Sequence, residues 1–117
     1  MQYMLLIHNE ADKLTAAEVP QVMQEYMVFT QDLVKSGKFK AGDRLESSAG
    51  ARTVRVRNGK TLTTDGPFAE TKEQLGGYYL VEAKDSEEAV SIAARIPGAR
   101  TGSIEVRAVA AMPARQG

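Results

Sequence analysis

Gly77–Gly98, GYYLVEAKDSEEAVSIAARIPG, holds a strand, a helix start, a helix and a helix stop in one run. Gly77 to Ala83 is rich in aromatic and branched residues, which suit the pleated surface of a sheet. Asp85 followed three residues later by Glu88 has the pattern of a capping box, in which side chains satisfy the open amides of a helix start. Ala89, Ile92, Ala93 and Ile96 then recur at helical spacing and give one apolar face. Pro97-Gly98 cannot continue a helix, so the segment ends there. Tyr78 and Tyr79 point to opposite faces of their strand, which puts one in the core and leaves the other to line a pocket.

Working outward, a final strand runs from about Ser103 to Val109 with Ile104 and Val106 turned inward. Residues 111–117, with Pro113, read as a short flexible tail. At the other end, Gln2 to His8 is apolar on both faces, with Met4 and Leu6 on one and Tyr3, Leu5 and Ile7 on the other. Such a strand belongs inside a sheet covered on both sides. A helix follows, with Val19, Val22, Met23, Tyr26, Thr30, Leu33 and Val34 as its expected apolar face, a Thr15–Glu18 capping box and Gly37 as its stop. Pro20 pushes the regular helix toward Glu18, because a proline is tolerated only in the first turn.

Phe39 to Arg52 reads as a loop, with a short strand at Arg44–Glu46. Thr53 to Arg57 alternates, placing Val54 and Val56 on an expected dry face against Thr53, Arg55 and Arg57. Asn58-Gly59 is a strong hairpin signal, since both residues tolerate positive φ, and the return strand is Lys60 to Thr64. Asp65-Gly66-Pro67 breaks it, and Phe68 to Leu75 is a polar connector. Without the hairpin the order is strand, helix, strand, strand, helix, strand, the ferredoxin-like α+β arrangement with both helices on one face of an antiparallel sheet. The other face then needs a cover, and stacking two sheets across a two-fold axis provides one. A homodimer is the expectation.

Composition narrows the chemistry. The chain has 117 residues, 43% hydrophobic and 26% charged, which fits one globular domain, expected over residues 1–110. Fifteen basic residues balance fifteen acidic ones, so charge gives no reason to expect nucleic acid as the main partner. There is no cysteine, which removes disulfides, thiolate metal sites and cysteine nucleophiles, and His8 is the only histidine. The opening apolar run is too short for a signal peptide or a membrane span. A cytoplasmic protein that uses neither a cofactor nor a metal is expected.

The run Arg52–Leu80, RTVRVRNGKTLTTDGPFAETKEQLGGYYL, carries a family resemblance. Thr64-Asp65-Gly66-Pro67-Phe68, continued as Ala69-Glu70-Thr71-Lys72-Glu73 and Gly76-Gly77-Tyr78-Tyr79, closely resembles the DGPF-motif proteins of the YCII-related family. The likeness extends to the MQYMLLI opening and to RIPGARTGSIEVR, Arg95 to Arg107. It implies ferredoxin-like subunits paired as dimeric α/β barrels, similar in architecture to small isomerases and cofactor-free oxygenases. The family's genes often lie near those of extracytoplasmic-function sigma factors, and no general activity is established for the family. Smaller relatives carry a histidine–aspartate pair in the cleft. Here Asp65 matches the aspartate, but Thr15 to Gly37 contains no histidine, and His8 sits at the end of the first strand instead.

Each candidate residue has two readings. Asp65 is a general base if it lies buried in a cleft, or a turn-former that accepts backbone amides. His8 is the one side chain that ordinarily titrates near neutrality, or a polar end to a core strand. Tyr79 is taken as the tyrosine that orients a ligand. Arg44, Arg55 and Arg57 suit a forked grip on an anion, or a solvated edge. Lys72, between Glu70 and Glu73, is either a ligand contact or surface. Met4, Met23 and Met27 are pocket wall or core filler. The set therefore comprises Asp65 and His8 for catalysis, with Tyr79, Arg44 and Lys72 for substrate binding. Two functions follow: a small-molecule-binding enzyme of the dimeric α/β-barrel type, or a non-catalytic interaction module linked to sigma-factor-associated transcription.

Overall fold

The computed structural model describes residues 1–10 and 15–111. Six strands and two helices follow one another as β1 (Gln2–Asn9), α1 (Val19–Lys35), β2 (Phe39–Arg44), β3 (Arg52–Arg57), β4 (Lys60–Asp65), β5 (Gln74–Glu82), α2 (Ser86–Ala94) and β6 (Ser103–Ala108). Four of the strands form an antiparallel sheet in the order β2-β5-β1-β6, while β3 and β4 pair only with each other. This is the expected α+β ferredoxin-like domain with an inserted hairpin. The expected tail, apart from Ala111, lies outside the described residues.

β1 is central because both its edges are paired and its alternate residues serve two different faces. Tyr3, Leu5 and Ile7 are buried under the helices, whereas Met4, Leu6 and His8 lie half-buried on the other side. The core joins them to Phe29 and Leu33 of α1, Tyr79 and Val81 of β5, and Ala89, Ile92 and Ala93 of α2. Leu5, Leu33, Val81 and Ile96 are almost wholly shielded. Burying each such side chain contributes about 2 kcal/mol.

Several local expectations need correction. Residues 39–44 are a strand rather than a loop, and residues 48–50 form a short 3-10 turn. FKAGDR lacks branched residues, so its strand conformation comes from pairing with β5 and not from its own propensity. The buried face of α1 is set by Phe29 and Leu33, with Val22, Tyr26 and Thr30 half-buried beside them, while Val19, Met23, Met27 and Val34 are exposed. Glu18, not Thr15, is the residue before the helix; a turn precedes it, and the Glu18 carboxylate accepts from the Thr15 amide and hydroxyl. At α2 the cap holds: Asp85 Oδ1 accepts from the Glu88 amide at 2.9 Å, and Glu88 reaches back to the Lys84 amide. Val54 and Val56 are about 60% exposed, so the hairpin has no dry face within its own chain.

Candidate functional site

Both helices pack on one side of the sheet, and the side chains on its other side define the candidate site. Cross-strand partners share a face. The uncovered face therefore carries Leu6 opposite Tyr78, His8 opposite Leu75, and Met4 opposite Leu80 between β1 and β5. Toward β6 it carries Glu105 opposite Leu6 and Ser103 opposite His8, and toward β2 it carries Asp43 opposite Tyr78. A shift of register between Ile7 and His8 brings Leu75, rather than Gly76, beside His8.

Two acid–base pairs stand on this apolar floor. His8 Nε2 lies 3.1 Å from Glu105 Oε1, with the His8 side chain 30% exposed. A carboxylate can only accept, so this contact places a proton on Nε2 and leaves Nδ1 of neutral His8 as the acceptor. The Tyr78 hydroxyl donates to Asp43 Oδ2 at 2.8 Å. That hydrogen bond, reinforced by the negative charge of Asp43, holds the Tyr78 phenol above its ordinary range, so it stays protonated in neutral solution. Where the face reaches the hairpin base there is a cleft of about 540 Å³, walled by Leu45, Glu46, Ser48, Pro67 and Leu75. Leu75 joins this cleft to the His8 end of the face.

The expected site residues do not all meet here. His8 is on the uncovered face. Tyr79 points the other way, 7% exposed beneath α1, with its hydroxyl 2.7 Å from Thr30 Oγ1 and its ring edge-on to Phe29. Burial pushes its phenol up, against a smaller opposing effect of the Thr30 hydrogen bond. The tyrosine on the uncovered face is Tyr78. Asp65 closes β4 with its side chain 95% exposed and an Arg52 Nε 3.6 Å away. The turn's close contacts there are made by the backbone of Gly66, which bonds to Ala51 and Thr53. Arg44 ends β2 with Nη1 3.9 Å from the Met23 sulfur, and Lys72 is 83% exposed with Nζ 3.5 Å from Glu10.

Glu105 and Asp43 escaped the sequence reading. The only signal for Glu105 was its alternation with Ile104 and Val106, and Asp43 lay in a stretch read as loop. A second groove, about 390 Å³ between α1 and the Pro97 turn, is crossed by the Arg100–Glu25 and Arg95–Asp32 ion pairs. Those pairs tie the helix to the turn. Among the described residues no group of three or more metal-ligating side chains occurs, and no helix is long and apolar enough to cross a membrane.

A ferredoxin-like α+β domain with an inserted hairpin, bearing acid–base pairs on the sheet face away from its helices, defines the class. The family model for the YCII-related domain matches residues 1–113, and the chain belongs to that family. An uncharacterized protein of Rhizobium meliloti (strain 1021) is 38% identical over 116 residues, covering 94% of this chain and 93% of its own. In fold the chain is similar to 5-chloro-2-hydroxyhydroquinone dehydrochlorinase of Burkholderia phenoliruptrix AC1100, a structure solved in complex with 2,5-dihydroxybenzoquinone. The TM-score is 0.57 at 14% identity, over 94% of each chain.

Proposed function

We propose that this protein is a homodimeric, cytoplasmic small-molecule-binding enzyme whose site lies on the uncovered sheet face around His8 and Tyr78. The observation that carries this reading is the placement of two acid–base pairs, His8–Glu105 and Tyr78–Asp43, on one half-buried apolar face beside a cleft. In this arrangement His8 Nδ1 takes a proton from the ligand, and Glu105 holds the imidazole in the required tautomer. Tyr78, held protonated by Asp43, orients the ligand's oxygen. Leu6 and Leu75 supply a flat apolar floor, which suits a small planar hydroxylated ring. A second copy covering the same face would exclude water from the pairs and strengthen both.

The fold neighbour's ligand offers the first probe. Titration of 2,5-dihydroxybenzoquinone into isotope-labelled protein should shift the His8 ring signals and the amides of Leu6, Leu75 and Tyr78 together. Saturable shifts confined to the groove between α1 and the Pro97 turn would remove this placement. No shifts with this probe or with a panel of small phenols would remove the ligand class. A second reading, the non-catalytic interaction module, is favoured by the exposed stripe of Val19, Met23, Met27 and Val34 along α1.

A further inference from the structure

The β3–β4 hairpin is wet on both sides. One face presents Arg52, Val54 and Val56 with Thr61, Thr63 and Asp65; the other presents Arg55, Arg57, Lys60 and Leu62. Val54 is 59% exposed, Val56 60% and Leu62 48%. Among the described residues no hydrogen bond or ion pair joins β3 or β4 to the four-stranded sheet, and their side-chain hydrogen bonds and ion pairs lie within residues 51–66. A two-stranded hairpin standing alone is marginally stable in water. Leu62 shares its face with Arg55, Arg57 and Lys60, so that face combines an apolar side chain with three cations.

Charge indicates which surface this face meets. Four cations against one carboxylate leave residues 52–65 at net +3, and because the whole chain is neutral, the remainder carries −3. Four carboxylates of the remainder lie toward the His8 end of the uncovered face, while Arg107, opposite Met4, lies toward the other end. Asp43 and Glu105 are on the face, Glu73 is bonded to Ser103 next to His8, and Glu46 lines the adjoining cleft. On the arm, Arg55 and Lys60 meet no carboxylate among the described residues, and Arg57 bonds only the carbonyl of Val56. A positive arm and a carboxylate-bearing end of the sheet face on one molecule are complementary between copies.

We infer that the β3–β4 hairpin is an arm that lies on the uncovered sheet face of a second copy of this chain. Its Arg55, Arg57 and Lys60 face the carboxylates at the His8 end, and Leu62, on the same side of the hairpin, loses water on docking. The arm from one copy thereby closes the small-molecule site of the other, so the site is complete only in the pair. This inference rests on the homodimer of the proposed function and adds the element that holds it.

The first measurement is sedimentation of the native chain at micromolar concentration, followed by hydrogen exchange above and below the association midpoint. The arm predicts a species of twice the 12.7 kDa chain mass, with the amides of Val54, Val56, Thr61 and Thr63 protected only in the associated form. The triple variant R55E/R57E/K60E should weaken association by roughly a hundredfold, and added salt should weaken the native pair. A native chain that sediments as a monomer overturns the homodimer and the arm together. A dimer that the triple variant leaves intact, with hairpin amides as fast in exchange as in the monomer, overturns the arm alone. Hairpin amides that gain protection in the monomer on adding an oligonucleotide would assign the arm to nucleic acid and overturn the inference.

Discussion

Gly42 of β2 lies against the ring of Tyr79 on β5: a Cβ built on Gly42 would stand 2.9 Å from Tyr79 Cδ1 and 3.2 Å from the Tyr78 carbonyl oxygen. The ring has little room to withdraw. Phe29 meets it edge-on at 5.1 Å, Phe39 flanks it at 6.4 Å, and Thr30 holds its hydroxyl. Gly42 does not have a positive φ, so its requirement is for space and not for backbone freedom. Gly42→Ala should therefore destabilise the protein by about 1–3 kcal/mol, the usual cost of forcing a methyl into a packed core. Chemical denaturation reads this directly. A variant as stable as the parent would mean that β2 stands further from β5 than the register indicates.

Alkaline stability follows from the same core. Burial raises the phenols of Tyr79 and Tyr26, and neither opposing hydrogen bond, from Thr30 or from the Gly98 amide, reverses the direction. In the unfolded chain both titrate near 10. Their contribution is therefore fully present below about pH 10 and is lost as pH rises through the higher folded values, because only the unfolded state then releases the protons readily. Thermal midpoints should hold from neutrality to about pH 10 and fall beyond it. In Tyr79→Phe that fall should be shallower, at a cost of about 1 kcal/mol at neutral pH for the lost hydrogen bond to Thr30.

The parts of the fold that were legible in the sequence are those governed by neighbouring residues. The Asn58-Gly59 turn takes the positive φ values its residue types allow, 52° and 75°, and the Asp85 cap forms as spaced. β2 was not legible because, Phe39 apart, the residues of Phe39–Arg44 do not favour a strand until β5 lies beside them. The rotation of α1 was not legible for a similar reason. Two apolar stripes run along that helix, and the packing of Phe29 and Leu33, rather than composition, decides which is buried. The candidate site fared likewise. Glu105 is 97 positions from His8, and Asp43 is 35 from Tyr78, so both pairs depend on strand order and register.

At Tyr78 the effect of Asp43 can be isolated. The hydrogen bond to Asp43 is the first cause of the raised phenol, and the carboxylate's charge is the second. Asp43→Asn removes the charge and keeps a hydrogen-bond acceptor. The Tyr78 hydroxyl should then titrate closer to the ordinary value of about 10, as followed by the tyrosinate absorbance difference between this variant and its Tyr78→Phe counterpart. Because Tyr78 is on the solvent side, the fold should be untouched. An unchanged titration would show that Asp43 turns away from the phenol in solution.

The tautomer of His8 tests the site most directly. The chain has a single histidine, so its ring nitrogens are the only imidazole signals in a long-range nitrogen–proton correlation spectrum. With Glu105 Oε1 3.1 Å from Nε2, the neutral ring should carry its proton on Nε2. Glu105→Gln can offer either a carbonyl or an amide to that nitrogen, which loosens the choice, and the spectrum should move toward a mixture of tautomers. Ligand binding should weaken in step, by about tenfold for the loss of a charge-assisted contact. In His8→Asn it should fall further, since the acceptor itself is gone. Stability separates this role from a merely structural one. Glu105 is half exposed, and an exposed pair of this kind contributes at most about 1 kcal/mol, so thermal midpoints should barely move while binding drops. Binding that survives both substitutions would take the His8–Glu105 pair out of the site and leave it as the polar edge of two strands.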